Sequence, residues 1–278
     1  YSLMLRPDMV ESMVTDKTKA IIMSNYAGFP QSLVNRIKGV PVVHDLAHAA
    51  GAELEGLRLL NYVCWSFHAV KQLSCGDGGM LTTSLVTVRD KAQRMRWSGI
   101  DKSTWTRVEH SGQPGTAGFS RRYSYDYDAT GPGIKGHGND IAAAIGRCQL
   151  GKLDYNRRCR ARSASCYNAE ILQQNLSRLV LRPDLHSGHG WHLYVIRLNE
   201  RAALHRFLKE RGVETGVHYR PLITHSVFSD HRADNPVALE EWVKLLSLPM
   251  HTRMDENDAC RVVSLIRQFF NELDGDTV

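Results

Sequence analysis

Hydrophobic and polar positions change period along the chain, and each period predicts an element. The β-branched residues Val40, Val42 and Val43 precede Asp45, which predicts a buried strand that ends at the acid. A second run of strand character covers residues 62–67, with Ser66 near its end. Strands that alternate with helices in this way are typical of an α/β layer.

The later part of the chain has a different pattern. WHLYVIRL (191–198) predicts a strand, whereas residues 201–211 and 256–273 predict amphipathic helices, the first of them ended by Gly212. These elements indicate a smaller α+β domain. We place the division between a large domain of residues 1–163 and a small domain of residues 164–278.

The middle of the chain begins without periodicity. Residues 103–138 are polar and rich in glycine and tyrosine, and such a long stretch in a compact domain is usually functional or disordered. Asn139 or Asp140 is then expected to cap a helix that continues to about Leu176. Its apolar side carries Ile141, Ile145 and Leu150.

Composition indicates a soluble globular protein. The 278 residues are 42% hydrophobic and 23% charged, and no run reaches the roughly 18 apolar residues of a membrane helix. No secretory signal pattern is visible. The six cysteines form no C-x-x-C pair, so we interpret them as reduced thiols of a cytoplasmic protein.

A net charge of +6 raises the possibility of nucleic-acid binding, because basic residues crowd the stretch 147–162. Helical periodicity spreads these charges over several faces, and no interleaved aromatic residues offer a stacking surface. A solvated helix is the better interpretation, without nucleic acid as a partner. A basic surface also suits an anionic diphosphate.

Two strand ends carry the candidate chemistry. Asp45 ends the first strand, and Lys71 follows the second strand. A cluster of glycines lies within ten residues after Lys71: Gly76, Gly78 and Gly79. Ligands of open α/β sheets bind at the carboxyl ends of strands. An amine facing a carboxylate is what pyridoxal phosphate (PLP) requires, and Ser66 offers a hydroxyl to its phosphate.

Two histidine spacings suggest zinc as an alternative. His44 and His48 imitate the helical histidine pair of metalloproteases, but Asp45 stands where that motif has Glu, and the pair directly follows a strand. His186, His189 and His192 recur every three residues, although the glycines between them favour a loop. We expect no metal site.

Several separated blocks resemble one family. HDLAHAAG (44–51), SFHAVK (66–71) and GDGGMLTT (76–83) resemble the motifs of the DegT/DnrJ/EryC1/StrS sugar aminotransferases. The similarity continues through NDIAAAIGRCQLGKLD (139–154), WHLYVIRL (191–198), LKERGVETGVHYRPL (208–222) and LLSLPMH (245–251). Asp77 stands where the family usually has Glu.

The resemblance implies a role for each site residue. Lys71 corresponds to the Schiff-base lysine, Asp45 to the partner of the pyridine nitrogen, and His48 to a polar group beside the phenolic oxygen. Ser66 corresponds to a phosphate-binding serine. His137 corresponds to a residue that reaches the phosphate of the neighbouring subunit's cofactor, although the glycines on either side of it depart from the family pattern.

The resemblance also implies a fold-type-I PLP-dependent transferase with a mainly parallel sheet, working as a homodimer. Its substrates would be a nucleotide-linked keto-sugar and glutamate or glutamine as amino donor. The match begins inside the family's large domain, so we expect an N-terminally incomplete copy that binds the cofactor poorly. A non-catalytic relic or interaction subunit of the same fold is the alternative.

Overall fold

The computed structural model describes residues 3–101, 128–176, 188–231 and 235–275. Most of the aperiodic segment 103–138 lies outside these ranges. A sheet of five strands forms in the first part of the chain: β1 (Ile21–Ser24), β2 (Arg36–Ile37), β3 (Val40–Asp45), β4 (Val63–Ser66) and β5 (Gly79–Thr82). The order is β1, β3, β4, β5, with β2 paired to β3.

The central strands of this sheet are parallel. β1 pairs with β3 and β3 with β4 in parallel, whereas β2 and β5 add antiparallel edges. The prediction of a strand that ends at Asp45 is confirmed, and Val42 in β3 is fully buried. The run 62–67 is also a strand, shorter by one residue at each end.

The chain after Asp45 forms turns rather than a helix. Ala49 N–H donates to Leu46 O at 2.9 Å, and Ala52 N–H donates to Ala49 O at 2.9 Å. Gly51 has a φ of +83°, which ends any right-handed helical path. His44 and His48 therefore do not share a helix.

The described ranges of the first part of the chain also contain α1 (Pro7–Met13), α2 (Val86–Met95) and α3 (Asp140–Leu150), and α4 (Leu153–Gln173) follows and packs with the second sheet. The N-cap prediction is confirmed, because Asn139 Oδ1 accepts from Ala142 N–H at 2.9 Å. The single helix predicted from Asn139 to Leu176 was wrong. Gly151 and Lys152 separate α3 from α4, and glycine is a weak helix former.

The second sheet has two antiparallel strands, β6 (Tyr194–Arg197) and β7 (Leu245–Leu248). Helices α5 (Arg201–Glu210), α6 (Pro236–Trp242) and α7 (Glu256–Gly275) accompany it. The strand predicted over 191–198 is present but shorter, Tyr194–Arg197, and the helices predicted over 201–211 and 256–273 are confirmed within two residues at their ends. Side chains of α4, α5, α7 and both strands form its core.

The predicted domain division between residues 163 and 164 falls inside α4 and stays a prediction. None of the helices in the described ranges has both the length and the apolar content needed to cross a membrane.

Candidate active site

Three parallel strands end at one edge of the larger sheet. Ser24, the last residue of β1, lies opposite Asp45, the last residue of β3. Asp45 in turn lies opposite Cys64, two residues before the end of β4 at Ser66. The predicted site residues of these strands therefore share the edge at which α/β sheets bind ligands.

The carboxylate of Asp45 is held by two donors. Ser24 Oγ donates to Oδ2 at 3.1 Å, and Ala47 N–H donates to Oδ1 at 3.0 Å. These bonds fix the orientation of the carboxylate at the strand end. Ser24 was not predicted from the sequence, although it ends an apolar run as Asp45 does.

Lys71 lies in the turn that follows β4, where its N–H donates to His68 O at 2.9 Å. Partial burial lowers the pKa of the Lys71 ammonium, and the charge of Asp45 opposes this shift. A lowered pKa leaves a larger fraction of neutral amine, which is the nucleophilic form. The charge of Asp45 thus acts on Lys71, and we call the space beside these two residues, at the ends of β1 and β3, the crevice.

Ser66 and the glycine cluster shape the neighbouring backbone. Ser66 Oγ accepts from His68 N–H at 3.4 Å, and Ser66 pairs with Gly79 of β5. A Cβ on Gly79 would come within 2.7 Å of Trp65 O, so this position requires glycine. The close backbone approach expected of the glycine cluster is present here.

His48 lies beneath the same crevice and is 9% exposed. Its Nδ1 accepts from Ala27 N–H at 3.3 Å, and its Nε2 lies 3.0 Å from Tyr219 Oη. Burial lowers the pKa of His48 to about 4; the charge of Lys71 adds to the shift, and Asp45 opposes it. His48 is therefore a neutral imidazole at physiological pH.

The backbone around His48 is closely packed. A Cβ on Gly28, which has a φ of +89°, would come within 2.8 Å of His48 O. Gln72 Nε2 donates to the same carbonyl at 2.7 Å. Gln72, which follows Lys71, thus links the turn that carries Lys71 to the His48 backbone by a hydrogen bond.

His192 packs against His48, with ring centroids 4.2 Å apart. Burial lowers the pKa of His192 to about 2. His189 instead stacks on Trp191 at 3.9 Å, and His186 lies outside the described residues. In the described part of the chain, no three His, Cys, Asp or Glu side chains are gathered so that they could hold a metal ion.

His137 lies apart from these residues. Its ring meets Trp97 edge to face at 4.0 Å, and Lys135 Nζ lies 3.6 Å from the centre of the Trp97 ring. Desolvation, with the charges of Lys135 and Arg96, lowers the pKa of His137. Among the described residues, none of its contacts is with Asp45, His48, Ser66 or Lys71.

His137 lines a cavity of about 1190 Å³ between the face of the larger sheet and α3. Trp65, Phe67 and Gly146 also line it, whereas Asp45, His48, Ser66 and Lys71 do not. The cavity therefore does not coincide with the crevice at the strand ends. We take the crevice as the candidate active site because it unites the acid, the amine and the imidazole.

The sequence analysis also missed Tyr219 and Tyr26. Both lie at the crevice: Tyr219 is hydrogen-bonded to His48, and Tyr26 Oη donates a hydrogen bond to His218 O. The block GVHYRPL, which contains Tyr219, resembles the aminotransferase family, but the sequence predicts no role for Tyr219 itself. Tyr219 lies 171 residues from His48 along the chain, so no local sequence pattern predicts their hydrogen bond.

The residues at the crevice fit the PLP predicted from the sequence. An amine with a lowered pKa, a carboxylate held by two donors and a neutral imidazole converge where three strands end. These are the chemical groups that bind an aldehyde and a pyridine nitrogen. The fit rests on these donors and acceptors.

Comparison with known proteins agrees with this chemistry. Residues 1–267 match the DegT/DnrJ/EryC1/StrS aminotransferase family. Among solved structures, the aminotransferase TlmJ from Streptoalloteichus hindustanus is 28% identical, with a TM-score of 0.82. The match covers 98% of this chain and 71% of TlmJ.

Two further structures share the fold at lower identity. The sugar aminotransferase CalS13 from Micromonospora echinospora is 23% identical, with a TM-score of 0.80 over 96% of this chain and 71% of CalS13. Spr1654 from Streptococcus pneumoniae, in its PMP form, is 21% identical, with a TM-score of 0.80 over 98% of this chain and 74% of Spr1654. The α/β fold is therefore that of fold-type-I PLP-dependent enzymes, as predicted.

Proposed function

Because the chain belongs to the DegT/DnrJ/EryC1/StrS aminotransferase family, we propose that it transfers an amino group to a nucleotide-linked keto-sugar. Membership of this family makes the chain an enzyme that uses PLP. The observation that carries the proposal is the crevice, where Lys71 and Asp45 act on one another at the ends of parallel strands. Glutamate or glutamine is the proposed amino donor.

PLP supplies an aldehyde that captures an amine and a protonated ring that withdraws electrons from the reacting carbon. Asp45 would hold the ring nitrogen and Ser66 the phosphate, while His48, whose ring nitrogens bond Ala27 and Tyr219, would lie beside the phenolic oxygen. His137 is proposed to serve the phosphate of a neighbouring subunit's cofactor. Its packing against Trp97 leaves that role to be tested.

Lys71 is the proposed acid and base. Its Nζ would take the proton from the donor carbon that bears the amino group and deliver it to the cofactor carbon that receives this group. The lowered pKa of Lys71 favours this role, because a base must be neutral before it accepts a proton. Asp45, held by Ser24 and Ala47, keeps its carboxylate oriented throughout.

The proposed substrates are anionic, and the chain is basic. A net charge of +6 favours binding of a nucleotide diphosphate attached to the sugar. CalS13, which shares the fold, is a sugar aminotransferase, and this supports a sugar as the amino acceptor. The same proposal makes neither nucleic acid nor a membrane a partner.

Homodimer formation and a cytoplasmic location are also part of the proposal. The apolar residues Ile141, Ile145 and Leu150 of α3 are exposed in the single chain, which favours contact with a second copy. All six cysteines are free thiols, which suits a reducing compartment.

Trapping of the cofactor tests the proposal. Borohydride reduction of the PLP-loaded protein should leave a stable adduct on Lys71, located by mass spectrometry of peptides. Lys71→Ala should abolish the adduct, whereas Lys91→Ala, an exposed lysine of α2, should retain it. A wild-type protein without trapped cofactor is what the non-catalytic alternative expects.

Activity is then measured with a nucleotide-linked keto-sugar and glutamate. Formation of an amino-sugar by the wild-type protein, and its loss in Lys71→Ala, supports the proposal. Trapped cofactor on Lys71 without any transfer to keto-sugars would show that the substrate class is wrong while the lysine is correct.

A further inference from the structure

The loop that carries Tyr219 is held from two sides. Gly216 exchanges two backbone hydrogen bonds with Ser247 of β7, at 2.7 and 3.0 Å, and His218 Nδ1 lies 2.9 Å from Ser247 Oγ. On the other side, Tyr26 Oη donates to His218 O. These contacts place Tyr219 over the crevice that the ends of β1 and β3 form.

The hydrogen bonds of His48 decide which of its nitrogens carries the proton. Ala27 N–H points at Nδ1 from 3.3 Å, and a backbone N–H can only donate. Nδ1 must therefore be the acceptor, so the proton of the neutral ring lies on Nε2. Nε2–H then donates to Tyr219 Oη at 3.0 Å.

This direction leaves the hydroxyl proton of Tyr219 available. The phenol oxygen accepts from His48, and in the described part of the chain no hydrogen bond uses the proton of Tyr219 itself. The side chain is 55% exposed. Desolvation raises the pKa of the Tyr219 hydroxyl, and the charge of Asp45 adds to this shift.

The surroundings keep His48 neutral. His192 covers the ring at 4.2 Å, and Gln72 binds the His48 carbonyl. The titratable side chains that face the ring are Lys71, Asp45, His192, His218, Tyr26 and Tyr219. Lys71 and His218 disfavour a charge on His48, and burial does so more strongly.

We propose that Tyr219 is a substrate-binding residue, whose hydroxyl donates a hydrogen bond to an oxygen of the substrate in the crevice of Lys71. His48 is its positioning residue, because the ring holds the phenol oxygen and forces the hydroxyl proton outward. The inference rests on the proposed function. The acceptor oxygen belongs either to the carboxylate of the amino donor or to the nucleotide-linked sugar.

Equilibrium binding separates these two sources. The PLP-loaded protein is titrated in a calorimeter with 2-methylglutamate, which has no hydrogen on its reacting carbon, and separately with thymidine diphosphoglucose. Tyr219→Phe removes only the hydroxyl and should weaken one of the two probes about tenfold, the effect of one hydrogen bond. Tyr155→Phe, an exposed tyrosine of α4, should leave both affinities unchanged.

The position of the ring proton of His48 is measured in the cofactor-free protein, without any reaction. Nitrogen-15 spectra of the histidines in the cofactor-free protein should show His48 with its proton on Nε2, assigned by the loss of that signal in His48→Gln. In Tyr219→Phe the Nε2 proton loses its acceptor, so its exchange with water should rise about tenfold. Tyr155→Phe again serves as the control.

Three results overturn the inference. A proton on Nδ1 of His48 contradicts the direction of the hydrogen bonds. Equal affinities of Tyr219→Phe and wild type for every probe that binds the wild-type protein show that the hydroxyl is not used, while the proposed function stands. Failure of both probes to bind the wild-type protein removes the proposed substrates and the role of Tyr219 together.

Discussion

His48 and His192 lie ring against ring, and both are buried while neutral. Burial lowers the pKa of His48 to about 4 and that of His192 to about 2, with neighbouring cations adding to each shift. An unfolded histidine has a pKa of about 6.5. Between these values the unfolded chain binds more protons than the folded chain, so acid favours unfolding.

We therefore expect the free energy of unfolding to fall as the pH drops from about 6.5 towards 4. Each ring contributes up to about 1.4 kcal/mol per pH unit. His192→Phe replaces one ring with an apolar one of similar size and should reduce this slope by up to about 1.4 kcal/mol per pH unit. Urea unfolding at several pH values measures it.

The exposed His251 supplies the control, since His251→Gln leaves the buried pair intact and should keep the wild-type slope. A His192→Phe slope equal to that of the wild type would show that His192 is already charged, or solvated, in the folded protein. A neutral, buried His192 in the folded protein would then be excluded.

A partly buried cation, Arg160, joins helix α4 to the backbone on either side of the second sheet. Arg160 Nη1 donates to three carbonyls, those of Trp191, His192 and Met250, at 3.1, 3.3 and 2.9 Å. Within the described ranges, no carboxylate pairs with Arg160, and burial lowers the pKa of its guanidinium. The arginine thus holds the backbone of His192, whose ring covers His48.

Arg160→Met should cost about 3 kcal/mol of unfolding free energy, because it leaves buried carbonyls without their charged donor. Arg160→Lys should recover only part of this loss, since one ammonium does not reproduce the planar guanidinium. Urea unfolding at neutral pH measures both. Arg158→Met, on an exposed position of the same helix, should cost less than about 0.5 kcal/mol, and an equal loss there would contradict the account.

At the scale of the whole molecule, helix α3 presents its apolar side to solvent in the single chain. Ile141, Ile145 and Leu150 are 77%, 45% and 58% exposed. The helix borders the cavity of about 1190 Å³ that His137 also lines. Ile141 and Ile145 lie one turn apart on the same face, whereas Leu150 lies on the opposite side of the helix and lines the cavity. An exposed apolar pair of this kind is typical of a contact with another protein surface.

We expect this surface to contribute to the proposed homodimer. The double change Ile141→Glu and Ile145→Glu should shift the protein from dimer towards monomer, because carboxylates are costly to bury. Sedimentation velocity at several concentrations measures the shift. Leu172→Glu, at an exposed position of α4, is the matched control, and an unchanged mass for the double variant would exclude this surface.

Local pattern was enough to predict the elements that carry the acid and the amine. The β-branched run predicted β3 and its end at Asp45, and Asn139 predicted the start of α3. The amphipathic periods predicted α5 and α7. Each depends on neighbours in sequence, because strand and helix periods and cap hydrogen bonds are local.

The sequence by itself therefore determined the strand ends, the main helices and the cofactor class. Only the tertiary structure decided that His48 meets Tyr219 across 171 residues, that His192 covers its ring, and that α3 ends before Gly151. It also decided that His137 packs on Trp97. The physical reason is that such contacts depend on how sheets and helices pack, and burial and hydrogen-bond direction have no counterpart in local periodicity.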